Sequence, residues 1–287
     1  METAKWLFLQ MRPAQWTKNA LVFAALVFSA DKVGLQEIVR STAAFVLFSL
    51  VSGCVYILND FVDREADRLH PEKRHRPMAS GRLRPATALA FGAAVLALSI
   101  AAAFAADAAF GTVLTVYFAL NVAYSLWLKH EVILDIMLVA AGFVLRALGG
   151  VLAIGLPFTP WFLFCVFVLS LLLAIGKRRH EWLLLRGGRG EHRKVLERYT
   201  ETLLDQLLVV AATAAILSYG LFTFLSGRSV HLMWTVPIVI YGVFRYLYLV
   251  YALGEGGKPE ELVFQDRGMV AAMLLFGVTV VVVLIWF

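Results

Sequence analysis

The stretch AAFVLFSLVSGCVYILNDFVDREAD, residues 43–67, decides the fold. Residues 43–58 carry no charge, and about 20 such residues cross a hydrocarbon core as a helix. Four polar side chains then arrive together, Asn59, Asp60, Asp63 and Asp67, with seven Lys and Arg following by residue 84. Charge beside a bilayer is costly and marks a substrate or ion site. The reading is a membrane span that ends in a polar site.

The rest of the chain repeats the first half of that pattern. It is 61% hydrophobic and 16% charged over 287 residues, with a mean hydropathy of +0.78, which excludes a soluble domain. Apolar runs predict nine helices, near 19–36, 41–58, 86–106, 110–128, 133–155, 160–176, 203–226, 232–252 and 268–287. Asp31 and Lys32 interrupt the first. The breaks are short, so residues 1–287 read as one all-α domain, a polytopic nine-transmembrane-helix bundle. The basic and apolar N-terminus resembles a signal peptide. Phe28 stands three residues before the cut that Ala30 would define, where a small residue is wanted, so cleavage is not expected. Cys54 and Cys165 lie inside apolar runs and read as core residues.

Of the 26 Lys and Arg, 21 fall at the N-terminus and in loops near 59–85, 129–132, 177–202 and 253–267. Positive residues collect on the cytoplasmic side. This places the N-terminus and the polar site in the cytoplasm and the C-terminus outside, in an inner (plasma) membrane. The pI of 9.4 follows from that bias and argues for no nucleic-acid partner. A homo-oligomer is compatible with the sequence.

Asp60, Asp63 and Asp67 are spaced i, i+3, i+7. On a continuous helix Asp63 and Asp67 would lie about 60° and about 20° from Asp60, on one face. Carboxylates this close repel one another and want cations. An oxygen-only donor set suits a hard ion such as Mg²⁺, which keeps waters and bridges to phosphates. The competing reading is a solvated helix end with local ion pairs. Acidic side chains at a helix C-terminus oppose its dipole, which weighs against it.

NDFVDREAD (59–67) matches the N-D-x-x-D-x-x-x-D signature of the UbiA-type intramembrane prenyltransferase superfamily, and the nine-helix layout is similar to it. The resemblance implies a helical bundle around a central cavity open to lipid. It also implies that Asn59 and the catalytic and metal-binding Asp60, Asp63 and Asp67 hold Mg²⁺ against a diphosphate. Members that consume a prenyl diphosphate carry a second Asp-rich motif after helix six. Here that position reads GKRRHE (176–181), with no Asp until Asp205. A cationic stretch suits a further phosphate better than a second metal ion.

In this the chain resembles the decaprenyl-phosphate phosphoribosyltransferase branch. RPAQWTKN (12–19), DRLHPEKRHRPMASG (67–81), AYSLWLKHEVILD (123–135), LERYT (196–200) and PEELVFQDR (259–267) are similar as well. The branch implies transfer of 5-phosphoribose from phosphoribosyl diphosphate to a polyprenyl phosphate, at the surface of a lipid bilayer. The donor is phosphorylated at both ends and wants carboxylate-held metal at one and cations at the other. The acceptor, a phosphate monoester with a second pKa of about 6, is already an anionic nucleophile. No general base is needed, and positioning and electrostatics carry the catalysis.

Candidate substrate-binding residues are therefore Asn59, Lys18, Lys73, Arg74, Arg76, Tyr124, Lys129, Lys177, Arg178 and Glu181. Each basic residue has a plainer explanation in the positive-inside bias, and Tyr124 and Lys129 in interfacial anchoring. For Asp135, substrate contact competes with a buried partner such as Arg146. Two other functions stay in view. An aromatic prenyltransferase needs the second carboxylate cluster that GKRRHE does not supply. A cation-coupled transporter would show repeats and midplane charge.

Overall fold

In lipid each backbone polar group must be satisfied within its own segment, so these apolar runs form helices. The computed structural model describes the chain except Met1 and residues 70–72, 156–158 and 187–193, with the side chains of residues 31, 194 and 260 also left aside. The loop readings at 59–85 and 177–202 therefore fall partly outside the described residues. Among the described residues there is no strand.

The helices are α1 (Glu2–Gln10), α2 (Ala24–Val27), α3 (Leu35–Val62), α4 (Arg64–Leu69), α5 (Pro85–Ala106), α6 (Ala108–Leu126), α7 (Leu134–Ile154), α8 (Pro160–Arg186), α9 (Glu201–Leu225), α10 (Val236–Tyr251), α11 (Pro259–Gln265) and α12 (Arg267–Trp286). Eight of the described helical segments are long and apolar enough to span a membrane, the seventh of them beginning at Val230 with a 3-10 turn that leads into α10. The chain is a multi-pass membrane protein.

The first expected span differs from the others. It runs as a 3-10 helix over Pro13–Phe23, continues through α2, and ends in a 3-10 turn at Ala30–Lys32. Eleven residues at the 3-10 rise of about 2.0 Å cover about 22 Å, so the segment still passes along most of the bundle. At one end Arg12 pairs with Asp60, and at the other Ser29 accepts a hydrogen bond from Arg228. Close packing sets this course, because the carbonyl of Val22 rests where a Cβ on Gly150 would stand. Small residues let membrane helices approach in this way. Gly150→Ala is expected to destabilise the fold by about 1–3 kcal/mol, since a backbone carbonyl has no rotamer to move into. A lowered thermal unfolding midpoint in detergent would register it.

Two groups of helices share the load. α3, α5, α6 and α7 pack in sequence, with Phe48, Leu114 and Tyr117 fully buried among them. α8, α9, α10 and α12 form the second group around Leu172, Leu204, Leu208 and Leu249. Contact between α7 and α8 joins the groups, and the Pro13–Phe23 segment lies against α3 and α7. Both cysteines are free.

Two boundaries matter for the site. The sixth span was expected to end at 176, but α8 continues to Arg186, which puts Lys177, Arg178 and Glu181 on helix. The continuation is held by ion pairs of Arg178 with Asp135 and Arg179 with Asp205, and by the Trp182 indole donating to the Tyr199 carbonyl. At the start of α12, Asp266 caps the helix by accepting from the Met269 amide, and Arg245 pairs with it at 2.7 Å. The hydrogen bond from Arg245 holds the Asp266 carboxyl down at about 2.

Candidate active site

Side chains from five segments converge at the charged end of the bundle. α1 and the residues after it bring Gln10 and Arg12 onto Asp60, the last buried residue of α3. Arg76 closes the group: its Nη1 lies 3.1 Å from Asp60 Oδ1 and 2.5 Å from Asp67 Oδ2. Both carboxylates are buried, so each needs the partners it has. Arg12 adopts a left-handed backbone (φ 51°) and lies over the Tyr56 ring at 4.8 Å. A non-glycine residue holds that conformation only when its surroundings over-determine it.

The three aspartates do not lie on one continuous helix, as their spacing had suggested. α3 ends at Val62, Asp63 takes the C-cap with φ −90° and ψ 6°, and α4 starts afresh at Arg64. Asp63 takes no part in the Arg12 and Arg76 pairs that hold Asp60 and Asp67. Its side chain is 46% exposed and stands 3.7 Å from Lys129 Nζ. Among the described residues no three His, Cys, Asp or Glu side chains stand close enough to hold a metal ion together.

A second group sits between α7 and α8. Asp135 is fully buried, accepting from Arg178 Nε at 2.6 Å and from the Tyr199 hydroxyl at 2.7 Å. Arg178 also pairs with Glu181 and donates to the Tyr124 hydroxyl at 3.2 Å. Burial, then the bond to Asp135, pushes the Tyr199 phenol above its usual range. The suggested Asp135–Arg146 pair does not form. Eleven residues on one helix separate them by about 16 Å, and α8 supplies the nearer guanidinium.

Between these groups lies a polar cavity of about 240 Å³. Lys18, Asn59, Tyr124, Asp135, Lys177 and Arg178 line it, and Ser52, Tyr56, Tyr117, Asn121 and Arg146 carry the lining on along α3, α6 and α7. Arg179 points elsewhere, to Asp205 and over the Tyr251 ring at 4.5 Å. Arg74 is exposed and bonds His75, and Lys73 is half-buried in the same turn; neither lines the cavity.

Asn59 tests whether a metal would fit. Its Oδ1 is buried, borders the cavity, and has no hydrogen-bond partner among the described residues. A bare amide oxygen with carboxylates one and two turns further on is hard-ion donor chemistry. Magnesium needs only one or two carboxylates when waters and substrate phosphates complete its shell. The residues present fit such an ion, with Asn59, Asp63 and Asp67 nearest in kind.

An apolar cavity of about 390 Å³ lies alongside, between α2, α8, α9, α10 and α12. Leu21, Phe28, Phe162, Leu173, Tyr219 and Phe276 are among its walls. α8 and the Pro13–Phe23 segment border both cavities: Leu173 lines one and Ala174 the other, and Leu21 follows Lys18 by one turn.

Sequence reasoning missed Gln10, Tyr117, Asn121, Arg146 and Tyr199. A signal existed for three of them. Tyr117, Asn121 and Tyr124 recur at i, i+4, i+7, a polar stripe on an otherwise apolar helix, and an arginine inside a span points to function by default.

Residues 20–264 match the UbiA prenyltransferase family. A decaprenyl-phosphate phosphoribosyltransferase from Corynebacterium glutamicum is 40% identical over 267 residues, covering 90% of this chain and 80% of that protein. One from Mycolicibacterium smegmatis is 35% identical over 277 residues, covering 91% and 86%. Among solved structures, a UbiA homolog from Archaeoglobus fulgidus bound to GPP and Mg²⁺ superposes with a TM-score of 0.72. It covers 97% of this chain and 99% of its own at 18% identity, which speaks for the fold alone. With a family match spanning most of its length and relatives this similar end to end, the chain belongs to the UbiA prenyltransferase family.

Proposed function

We propose that the chain transfers 5-phosphoribose from phosphoribosyl diphosphate to a decaprenyl-type polyprenyl phosphate, releasing diphosphate, with Mg²⁺ as the metal. One observation carries the reading. The α8 wall of the polar cavity presents Lys177 and Arg178, where a prenyl-diphosphate-consuming site would need a second set of carboxylates, and the preceding turns of α8 line an apolar cavity. A sugar phosphorylated at both ends suits the first cavity, and an isoprenoid chain suits the second. The names of the Corynebacterium and Mycolicibacterium relatives support the same assignment.

Asn59, Asp63 and Asp67 would hold the metal. When bound, it neutralises charge growing on the departing diphosphate. Arg12 neutralises Asp60, Arg76 bridges Asp60 and Asp67, and both stand ready as donors to the diphosphate oxygens. Lys129 sits on Asp63 at the mouth, while Lys177, Lys18 and Tyr124 position the ribose 5-phosphate end. Arg178 is committed to Asp135 and Glu181, so it shapes the wall more than it grips a phosphate. An oxygen lone pair of the acceptor phosphate forms the new bond to C1 as the bond from C1 to diphosphate breaks. The electron pair leaves on the diphosphate, and no proton moves.

The Lys and Arg bias supports a cytoplasmic polar end in a plasma membrane, with the C-terminus outside. Purified protein given Mg²⁺ and labelled phosphoribosyl diphosphate is expected to label polyprenyl phosphate. Product only from 4-hydroxybenzoate plus a prenyl diphosphate would replace this reading with aromatic prenyl transfer.

A further inference from the structure

We infer that Arg146, in the wall of the polar cavity, receives the phosphate of the lipid acceptor. The inference rests on the phosphoribosyl-transfer reading and names a residue that reading does not require. Arg146 is 8% exposed and lies mid-helix on α7, at about the depth of the bilayer interior. Among the described residues no carboxylate pairs with it. Its bonds go to neutral acceptors: Asn19 Oδ1 at 2.7 Å, the Tyr117 hydroxyl at 2.7 Å and the Gly142 carbonyl at 3.0 Å. The rings of Tyr117 and Phe143 lie 4.7 and 5.1 Å from its guanidinium carbon.

A guanidinium has five N–H donors, and three such bonds leave capacity for an anion. A buried charge without a counter-ion is expensive, and inside a membrane protein such a group faces a partner or a ligand. Its surroundings are built to hold it still. Asn19 Nδ2 donates to Ser49 and Ser52 at 3.1 and 3.3 Å, which turns the amide oxygen toward Arg146. A residue locked by such support is preorganised for binding.

Position selects the guest. The Asn19 side chain that holds Arg146 belongs to the same 3-10 turn whose Lys18 lines the polar cavity and whose Leu21 lines the apolar one. That segment presents a cation to one cavity and an apolar side chain to the other, which suits an anion with a long apolar tail better than a free sugar phosphate. The acceptor phosphate therefore approaches from the inner end of the polar cavity, and the donor occupies the outer end between Asn59 and Lys177. Nucleophile and leaving group then face each other across C1.

Steady-state kinetics on the full chain tests this, varying each substrate in turn for wild type, Arg146→Gln and Arg146→Lys. A charge-assisted hydrogen bond is worth about 1.5–3 kcal/mol, so Arg146→Gln is expected to raise KM for polyprenyl phosphate by about 10- to 100-fold. KM for phosphoribosyl diphosphate should stay within about twofold. Arg146→Lys keeps the charge and loses the fork, so it should fall between. If the Gln variant is not monodisperse, the Lys variant decides by the same ratio of KM changes. Equal rises in both KM values, a rise for the donor alone, or a fall confined to kcat would overturn the assignment. A wild-type protein that makes no product overturns the transfer reading itself, which keeps the two failures distinct.

Discussion

Asp63→Asn is expected to lower turnover by about 10²- to 10³-fold, the cost typical of removing one preorganised electrostatic stabiliser, without moving the thermal unfolding midpoint. The two halves of that result have separate causes. Asp63 is nearly half exposed and its ion pair to Lys129 is a surface pair. Such pairs contribute about 0–1 kcal/mol, so the fold loses little. The activity depends on Asp63 joining the bare Asn59 oxygen one turn earlier at the metal. The Mg²⁺ concentration for half-maximal activity should rise in the variant, because a carboxamide is a poorer ligand for a hard ion. Wild-type turnover across a Mg²⁺ titration would remove Asp63 from the metal site. Asp60→Asn makes the contrast. That carboxylate is buried under Gln10, Arg12 and Arg76, so its loss should cost both turnover and stability.

Arg178→Ala should have the largest effect on stability, a loss of about 3–5 kcal/mol, the range for removing one partner of a buried pair. Asp135 has no solvent exposure, and its remaining partner would be the Tyr199 hydroxyl. Glu181 and the Tyr124 hydroxyl would lose a donor too. Stability of this group joins α6, α7, α8 and the segment before α9, so the charged end of the bundle should loosen as a unit. Unfolding in detergent would show it as a lowered midpoint. The double replacement Arg178→Met with Asp135→Leu should recover most of the loss, since it leaves no charge buried alone. No recovery in the double variant would mean that Arg178 acts through packing and not through Asp135.

Membrane class, span positions and the acidic motif were all legible from local composition. An apolar run long enough to cross a bilayer has few other fates in lipid, and eight such helices stand where hydropathy places them. The first span was legible in place but not in form. Nothing local announces that Pro13–Phe23 winds as a 3-10 helix, and its close seat against Gly150 comes from more than a hundred residues away. The end of α8 was misplaced for a similar reason. Lys177 to Arg186 look like a loop by hydropathy, yet they stay helical because Asp135, Asp205 and the Tyr199 carbonyl supply distant partners.

The candidate site divides along the same line. Asn59, Asp60, Asp63 and Asp67 were recognisable from spacing, since i, i+3 and i+4 relations are properties of one helix. Their division of labour was not: a helix break at Asp63 and an arginine from a following loop separate a latched pair from an exposed carboxylate. By itself the sequence determined that this chain lives in a membrane, which stretches cross it, and that an acidic motif faces a basic end. The tertiary structure alone decided which of the described arginines are spent on carboxylates and that Arg146 is buried among neutral groups. Hydropathy and helical spacing act over a few residues, whereas charge pairing depends on which helices come to lie side by side.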